Sequence, residues 1–272
     1  MKYYKKFIMP YLIWSALLII VPIVMIIIYA FTNEGNTVLN VYFTLDNFKK
    51  LLSSAYASVF WNSFKLGVIT VGICFVLGYS LAYIIAQFSE RAQSILILMV
   101  TIPMWINMLL RTYAWISILS ENGLFNSLLG LLGIEPATLM YTDFSVILGL
   151  VCNFLPFMII PIHTSLSKMD KSLIEASYDL GANKLQTFRR VVFKLSLPGV
   201  INGITMVFLL SISTFVIPKL LGGGNYMMVG NLIESQFISV GDWNFGSAIS
   251  LVLAVLIIIA VKITEKFDKV DE

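Results

Sequence analysis

Six stretches of this chain contain no Lys, Arg, Asp or Glu, and each is long enough, or nearly so, to cross a bilayer. They are Phe7–Asn33 (27 residues), Leu66–Ser89 (24), Ala92–Leu110 (19), Phe144–Ser167 (24, with one His), Leu195–Pro218 (24) and Trp243–Val261 (19). A hydrocarbon core about 30 Å thick takes about 20 apolar residues as helix. Unpaired backbone groups cannot face lipid, and the alternating pattern of barrel strands is absent, so the spans are helices. The fold class is therefore all-α: a polytopic membrane protein with six transmembrane helices. Only 12% of the residues are charged and 58% are hydrophobic. A soluble domain carries about 25% charged residues, so a soluble enzyme, a disordered hub and a nucleic-acid-binding protein are excluded. The net charge of +3 is too small to indicate a polyanion partner.

Shorter apolar segments read differently. Thr112–Ser120 and Asn122–Ile134 are too short to span and belong to an outward segment, lying at the interface or dipping in; residues 112–142 resist closer placement. Leu220–Ile233 contains Gly222, Gly223, Gly224 and Gly230 and reads as a loop. The basic start (Lys2, Lys5, Lys6) resembles a signal peptide, but the apolar run is too long and no A-x-A site follows, so it reads as a retained first helix.

With the N-terminus inside, the inner segments hold thirteen Lys and Arg, including Lys266 and Lys269, and the outer segments five. The positive-inside rule then makes both termini cytoplasmic. The outer side carries seven acids (Glu34, Asp46, Glu121, Glu135, Asp143, Glu234, Asp242) against those five bases. That excess is either a by-product of charge sorting or a bias toward a cationic solute. Cys74 and Cys152 lie inside spans and read as packing residues, as does His163 near the inner end of the fourth span. Pro22, Pro103, Pro156 and Pro161 fall within or near spans, where they mark helices that line a moving path or are simply tolerated. There is no G-x-x-x-x-G-K-[ST], H-E-x-x-H or G-x-S-x-G, so no residue is assigned a catalytic or metal-binding role.

The most informative stretch is the inner loop between the fourth and fifth spans, within Ser167–Val200. Asp170 or Ser172 can cap a helix. Leu173, Ile174, Ser177 and Leu180 recur at helical spacing and form one semi-apolar face. Gly181 ends that helix, and a second amphipathic stretch, Lys184–Lys194, runs into the fifth span, with Pro198 at its start. A helix this short needs something to cover its apolar positions, either a partner protein or anionic lipid.

Glu175-Ala176-Ser177-x-x-x-Gly181 resembles the EAA motif of ABC-importer membrane subunits, and EASYDLGANKLQTFRRV resembles its fuller form. Ser177 stands where that family usually has a second Ala, and Phe193-Lys194 where it often has Leu-Pro. Arg111-Thr112-Tyr113-Ala114-Trp115, the run from Leu155 to Pro161, and Pro218-x-Leu220-Leu221-Gly222-Gly223 are similar to stretches of the polyamine subgroup. The resemblance covers most of the chain from residue 60 onward. It implies a type I ABC-importer transmembrane domain over residues 1–272, with a coupling loop at 168–194. The implied substrates are spermidine and putrescine. The implied partners are a second permease chain, two copies of an ATPase and an extracytoplasmic binding protein, with ATP and Mg bound by the ATPase and no cofactor on this chain. The motif places ATPase coupling on Glu175, Ala176, Ser177, Asp179, Gly181 and Ala182.

For a polyamine path, aromatic faces and carboxylates are the fitting groups. Tyr113, Trp115, Glu121, Tyr141 and Asp143, at the outer ends of the third and fourth spans, are candidates; the alternative is an interfacial aromatic belt with solvated acids. Arg111 would repel a cation and suits an anchoring role. An importer of iron or an oxyanion is the alternative of the same class, and an oxyanion path calls for basic residues within the spans, where none is seen. A stand-alone channel or a membrane-enzyme subunit is the alternative of a different class.

Overall fold

The computed structural model describes residues 2–33, 42–224 and 226–268, with side chains for 8–33, 42–224 and 226–262. Glu34 and Lys269 lie outside the described residues, as do the side chains of Lys2, Lys5, Lys6 and Lys266. Four unbroken helices are long and apolar enough to cross a membrane: Ile8–Ala30 (within Lys2–Ala30), Ser54–Ala86, Asp143–Ser167 and Trp243–Lys262. Two further spans are bent pairs, Glu90–Trp105 with Met108–Leu131 (88°) and Lys184–Leu195 with Leu197–Ser213 (63°), so the total is six when each pair counts once. Among the described residues β structure is one isolated antiparallel bridge, Thr32–Phe43.

The chain divides into two units. The first comprises Met1–Phe60 and Leu232–Ile257. Two buried asparagines close the end of the first span there. Asn47 Nδ2 donates to the Ala30 and Thr32 carbonyls at 3.1 and 2.9 Å. Asn244 Nδ2 donates to the Tyr29 and Thr32 carbonyls, both at 3.0 Å. Terminal helix carbonyls lack intrahelical partners, and these amides supply them inside an apolar setting. Tyr56 packs on Phe245 with ring centroids 4.8 Å apart.

The second unit comprises Trp61–Asn231 and Ile258–Glu272, and it holds a core around Leu150, Met158, Ile159, Ile162 and Val207. Its central pair is Asp143–Ser167 against Leu197–Ser213. Gly199 and Gly203 make that approach possible: a Cβ on Gly199 would strike the Pro161 carbonyl and Ser165, and one on Gly203 would strike Met158. Small residues at such contacts are how helices associate where lipid removes the hydrophobic incentive. Pro156 and Pro161 sit inside the unbroken fourth span.

Three expectations need correction. The third span is not continuous over Ala92–Leu110: its helix ends at Trp105, Ile106 is extended, and Asn107 caps a new helix by accepting from the Leu109 amide at 2.8 Å. Pro103 in the last turn removes a backbone donor there, while Asn107 offers a fresh start. The fifth span does not reach Pro218: its helix stops at Ser213, Thr214 is extended, and Val216–Leu221 is a separate helix. Asn231 Nδ2 donates at 2.7 Å to the Phe215 carbonyl, which also accepts from the Lys219 amide at 3.1 Å as the next helix begins. Finally, Leu220–Ile233 is not all loop, because Val229–Glu234 is helical. Gly230 lies against the Ser213 and Thr214 carbonyls, so it is a close-packing glycine rather than a turn glycine.

Candidate functional site

The hairpin from Asp170 to Ser196 is built by local rules throughout. Asp170 caps the helix Lys171–Asp179, its Oδ1 accepting from the Ser172 amide at 2.9 Å. That backbone hydrogen bond, with a further one from the Ser172 side chain, holds the Asp170 carboxyl below its ordinary value. The helix ends in a Schellman arrangement: the Ala182 amide donates to the Ser177 carbonyl at 3.0 Å and the Gly181 amide to the Tyr178 carbonyl at 2.8 Å. Gly181 has φ +82°, a conformation that L side chains rarely adopt. Asn183 then opens the second arm with a capping box, exchanging hydrogen bonds with Gln186 at 2.9 Å each way.

The two arms are bonded to each other and to the spans. Ser177 Oγ lies 2.8 Å from Thr187 Oγ1, and Thr187 is buried. A π-helical segment, Phe188–Val192, follows. The Phe188 ring meets Tyr79 and Tyr83 edge-on at 5.8 and 5.4 Å, and Phe193 packs on Tyr79 at 5.7 Å. The Tyr79 hydroxyl is 3.0 Å from Ser196 Oγ, at the 63° bend. Hence the second arm is fixed to the second span before the fifth span begins.

The expected single semi-apolar face is two faces. Ile174 and Ser177 turn inward, and Ile174, together with Met169, packs against the core. Leu173 and Leu180 turn outward, and Leu180 at the tip is 89% exposed. Leu185 (66%) and Tyr178 (46%) join that outer surface, which also carries exposed Glu175, Ala176 and Asp179. Of the motif positions, Glu175, Ala176 and Asp179 are presented outward, Gly181 makes the turn, Ala182 is half-buried, and Ser177 holds the arms together. Tyr178 and Leu185 were not among the expected contacts, although each lies within one turn of the motif.

Near the root of the hairpin is a polar cavity of about 400 Å³ lined by Glu90, Gln93, Ser94, Ile97, His163, Ser167 and Lys171. Gln93 Nε2 donates to the Ala86 and Phe88 carbonyls, which points Oε1 toward His163 Nε2 at 3.1 Å and Ser167 Oγ at 3.0 Å. His163 is thus a satisfied residue, as its position indicated.

The outer candidates are dispersed. Tyr141 and Asp143 stand at the start of the fourth span, where the Tyr141 amide donates to the Leu221 carbonyl at 3.0 Å. Asp143 accepts from the Tyr226 hydroxyl, which raises that phenol above its ordinary value. Tyr113 is exposed, whereas Trp115, two residues along the same helix, packs on the core. Residues two apart on a helix face away from each other, so Tyr113 and Trp115 cannot grip one solute together. Glu121 is exposed in the turn that follows. Arg111 departs furthest from expectation. It lies on the helix beyond the 88° bend, in the second half of the bent pair Glu90–Trp105 and Met108–Leu131. A basic group is therefore present within that bent pair, just past the charge-free stretch that ends at Leu110.

Residues 75–268 match the family model of the binding-protein-dependent transport system inner membrane component. The chain is 38% identical over 246 residues to the spermidine/putrescine transport system permease protein PotB of Escherichia coli (strain K12), covering 89% of this chain and 90% of that protein. It is 34% identical over 259 residues to the protein of the same name from Haemophilus influenzae, covering 94% and 91%. A chain in the crystal structure of a bacterial ABC transporter involved in the import of the acidic polysaccharide alginate superposes with TM-score 0.79 at 16% identity, covering 96% of this chain and 94% of that one. At that identity the likeness speaks for the fold alone. The chain belongs to the family of binding-protein-dependent transport system inner membrane components.

Proposed function

We propose that this chain is a permease subunit of an ATP-driven ABC importer for polyamines, spermidine and putrescine, in the bacterial cytoplasmic membrane. The whole chain acts as one transmembrane domain that lines half of the path and does no chemistry. It works beside a PotC-like second permease, above two copies of a PotA-like ATPase that bind ATP and Mg, and below a PotD-like extracytoplasmic binding protein. The solute class is supported by the identity to PotB over about nine-tenths of both chains.

The observation that carries the coupling role is the hairpin tip. Leu180 is 89% exposed at the end of a turn whose arms are joined through Ser177 and Thr187. A rigid arm with an apolar tip suits insertion into a groove on the ATPase. Glu175, exposed on the same helix, pairs there with a basic residue, and Ala176, Asp179 and Ala182 complete the contact. When ATP closes the ATPase dimer, the hairpins are drawn together. The bonds from Phe188, Phe193 and Ser196 to Tyr79 and Tyr83 carry that displacement to the second and fifth spans. At the other end, Tyr141 and Asp143, at the start of the fourth span, are the path candidates; Tyr113 and Glu121 are exposed candidates for the approach, and Trp115 contributes from the core-facing side of the same helix.

The test is ATPase activity of the purified assembly in lipid, with its binding protein, with and without spermidine. Native assembly is expected to be stimulated, and Glu175→Arg to abolish the stimulation while leaving the assembly's mass unchanged. Removal of one partner of a desolvated pair costs about 3–5 kcal/mol. Stimulation by another solute alone would refute the polyamine assignment, and absence of any associated ATPase would refute the importer reading.

A further inference from the structure

Tyr141 holds a strained backbone. Its φ is +63°, and among the described residues it is the one residue other than glycine with a positive φ. That region suits glycine, or asparagine, and a bulky side chain is rarely found there. A residue kept in such a conformation by its surroundings points from strain toward function. The surroundings here are explicit. The Tyr141 amide donates to the Leu221 carbonyl at 3.0 Å, and Ser145 Oγ donates to the same carbonyl at 3.0 Å. The start of the fourth span is thus pinned to the end of the helix Val216–Leu221.

The two glycines after Leu221 seat two rings. A Cβ on Gly223 would strike the Tyr141 ring, and one on Gly222 would strike Tyr226. Both side chains therefore rest directly on backbone, and because the glycines are adjacent the two tyrosines are neighbours. The Tyr226 hydroxyl donates to the carboxylate of Asp143, two residues beyond Tyr141. This packing leaves the groups available. Tyr141 is 55% exposed, Asp143 is exposed and Tyr226 is half-buried. An ionised carboxylate accepts at about four lone-pair positions, and the Tyr226 hydroxyl takes one. A carboxylate flanked by two aromatic rings attracts a cation through its charge and through the ring faces. A primary ammonium has three donors on a compact head, so it can bond the carboxylate and still lie against a ring.

We infer that Asp143, Tyr226 and Tyr141 form a site for one terminal primary ammonium of a polyamine, with Tyr226 orienting the carboxylate as well as supplying a ring. The inference deepens the polyamine reading and rests on it for the source of the amine. It adds Tyr226 to the candidates, and it gives the strain at Tyr141 a purpose: asparagine would fit the backbone better, but only an aromatic side chain offers a ring face beside Asp143.

The test uses the purified assembly in lipid nanodiscs, treated with a water-soluble carbodiimide and increasing spermidine. The reagent activates a carboxylate, and an amine held beside it closes an amide with release of a urea, so the modified acid marks where the ammonium sits. Mass spectrometry is expected to show labelling of Asp143 that saturates with spermidine. Glu135, an exposed acid outside the cluster, should be labelled in linear proportion. Tyr141→Asn removes the ring and suits the backbone. It should leave Tm unchanged or raised, yet increase the half-saturating spermidine about threefold. Tyr226→Leu should increase it further, because the tether on Asp143 is lost as well. Linear labelling of Asp143, or saturation that neither substitution shifts, overturns the inference even where spermidine stimulates the ATPase. If Asp143 saturates but spermidine with its binding protein leaves ATPase activity unmoved, the ammonium site stands and the importer reading falls instead.

Discussion

The first and fourth spans have mean hydropathies of 2.8 and 2.2, yet the first is 0% buried and the fourth 61% buried over their apolar windows. Composition explains the contrast. Residues 8–30 contain no glycine and one serine, whereas 143–167 contain Gly149, Asn153 and several Ser and Thr. The neighbour of the fourth span contributes Gly199 and Gly203. In lipid an apolar side chain gains little by touching another helix, so contact is decided by how closely backbones can approach and which polar groups need partners. Hydropathy reports the solvent of a helix; small and polar residues report its neighbours.

That contrast can be broken by substitution. The largest effect is expected for Met158→Ala, which removes a side chain with 0% exposure and should cost about 3 kcal/mol, read as a lowered Tm of the purified chain in detergent. Gly199→Ala comes next: its new Cβ meets the Pro161 carbonyl and Ser165, and overpacking there should cost about 2 kcal/mol by the same measurement. If either change is silent, the fourth span is no better packed than the first.

A smaller effect is expected outside the membrane, where water competes for every polar group. The Asp170 carboxyl is held below its ordinary value of 3.8 by the Ser172 hydrogen bonds. Its contribution is fully present above 3.8 and fades as pH falls through the lowered pKa. Amide protection across residues 171–179, measured relative to the intrinsic exchange rate at each pH, should therefore fall below about pH 4, and Asp170→Asn, which still caps, should flatten that dependence. The smallest effect is assigned to Leu18→Ala in the first span, where Leu18 is 54% exposed; the isolated chain should change by under about 0.5 kcal/mol. A loss as large as that of Met158→Ala would show that the first span is packed after all.

Six spans were legible because ionisable residues are too costly in hydrocarbon to be scattered there, and their absence is easily seen. The hairpin was legible because Asp170, Gly181 and Asn183 act within a few residues of themselves. Breaks within spans were not. Pro103 accompanies a bend, while Pro156 and Pro161 lie in a continuous helix; the difference is Asn107, which can restart the chain. Arg111 was left outside the third span for a related reason, although the bent pair runs on past it to Leu131. Charge-free length counts residues along the chain, and the chain turns 88° before Arg111 is reached. Gly230 was read as part of a loop because its partner carbonyls, on Ser213 and Thr214, are remote in sequence. On the hairpin, helical spacing gave one face, but Thr187 drew Ser177 inward and left Leu180 outside.

The π-helical segment Phe188–Val192 sets the phase of the hairpin as well as its length. One residue added or removed there would rotate everything before it by about 100° relative to the fifth span, swinging Leu180 to another side and pulling Phe188 from between Tyr79 and Tyr83. The tip behaves like a key cut for one orientation: side chains on its surface can change singly, but chain length between Thr187 and Ser196 can change only in steps that restore the angle.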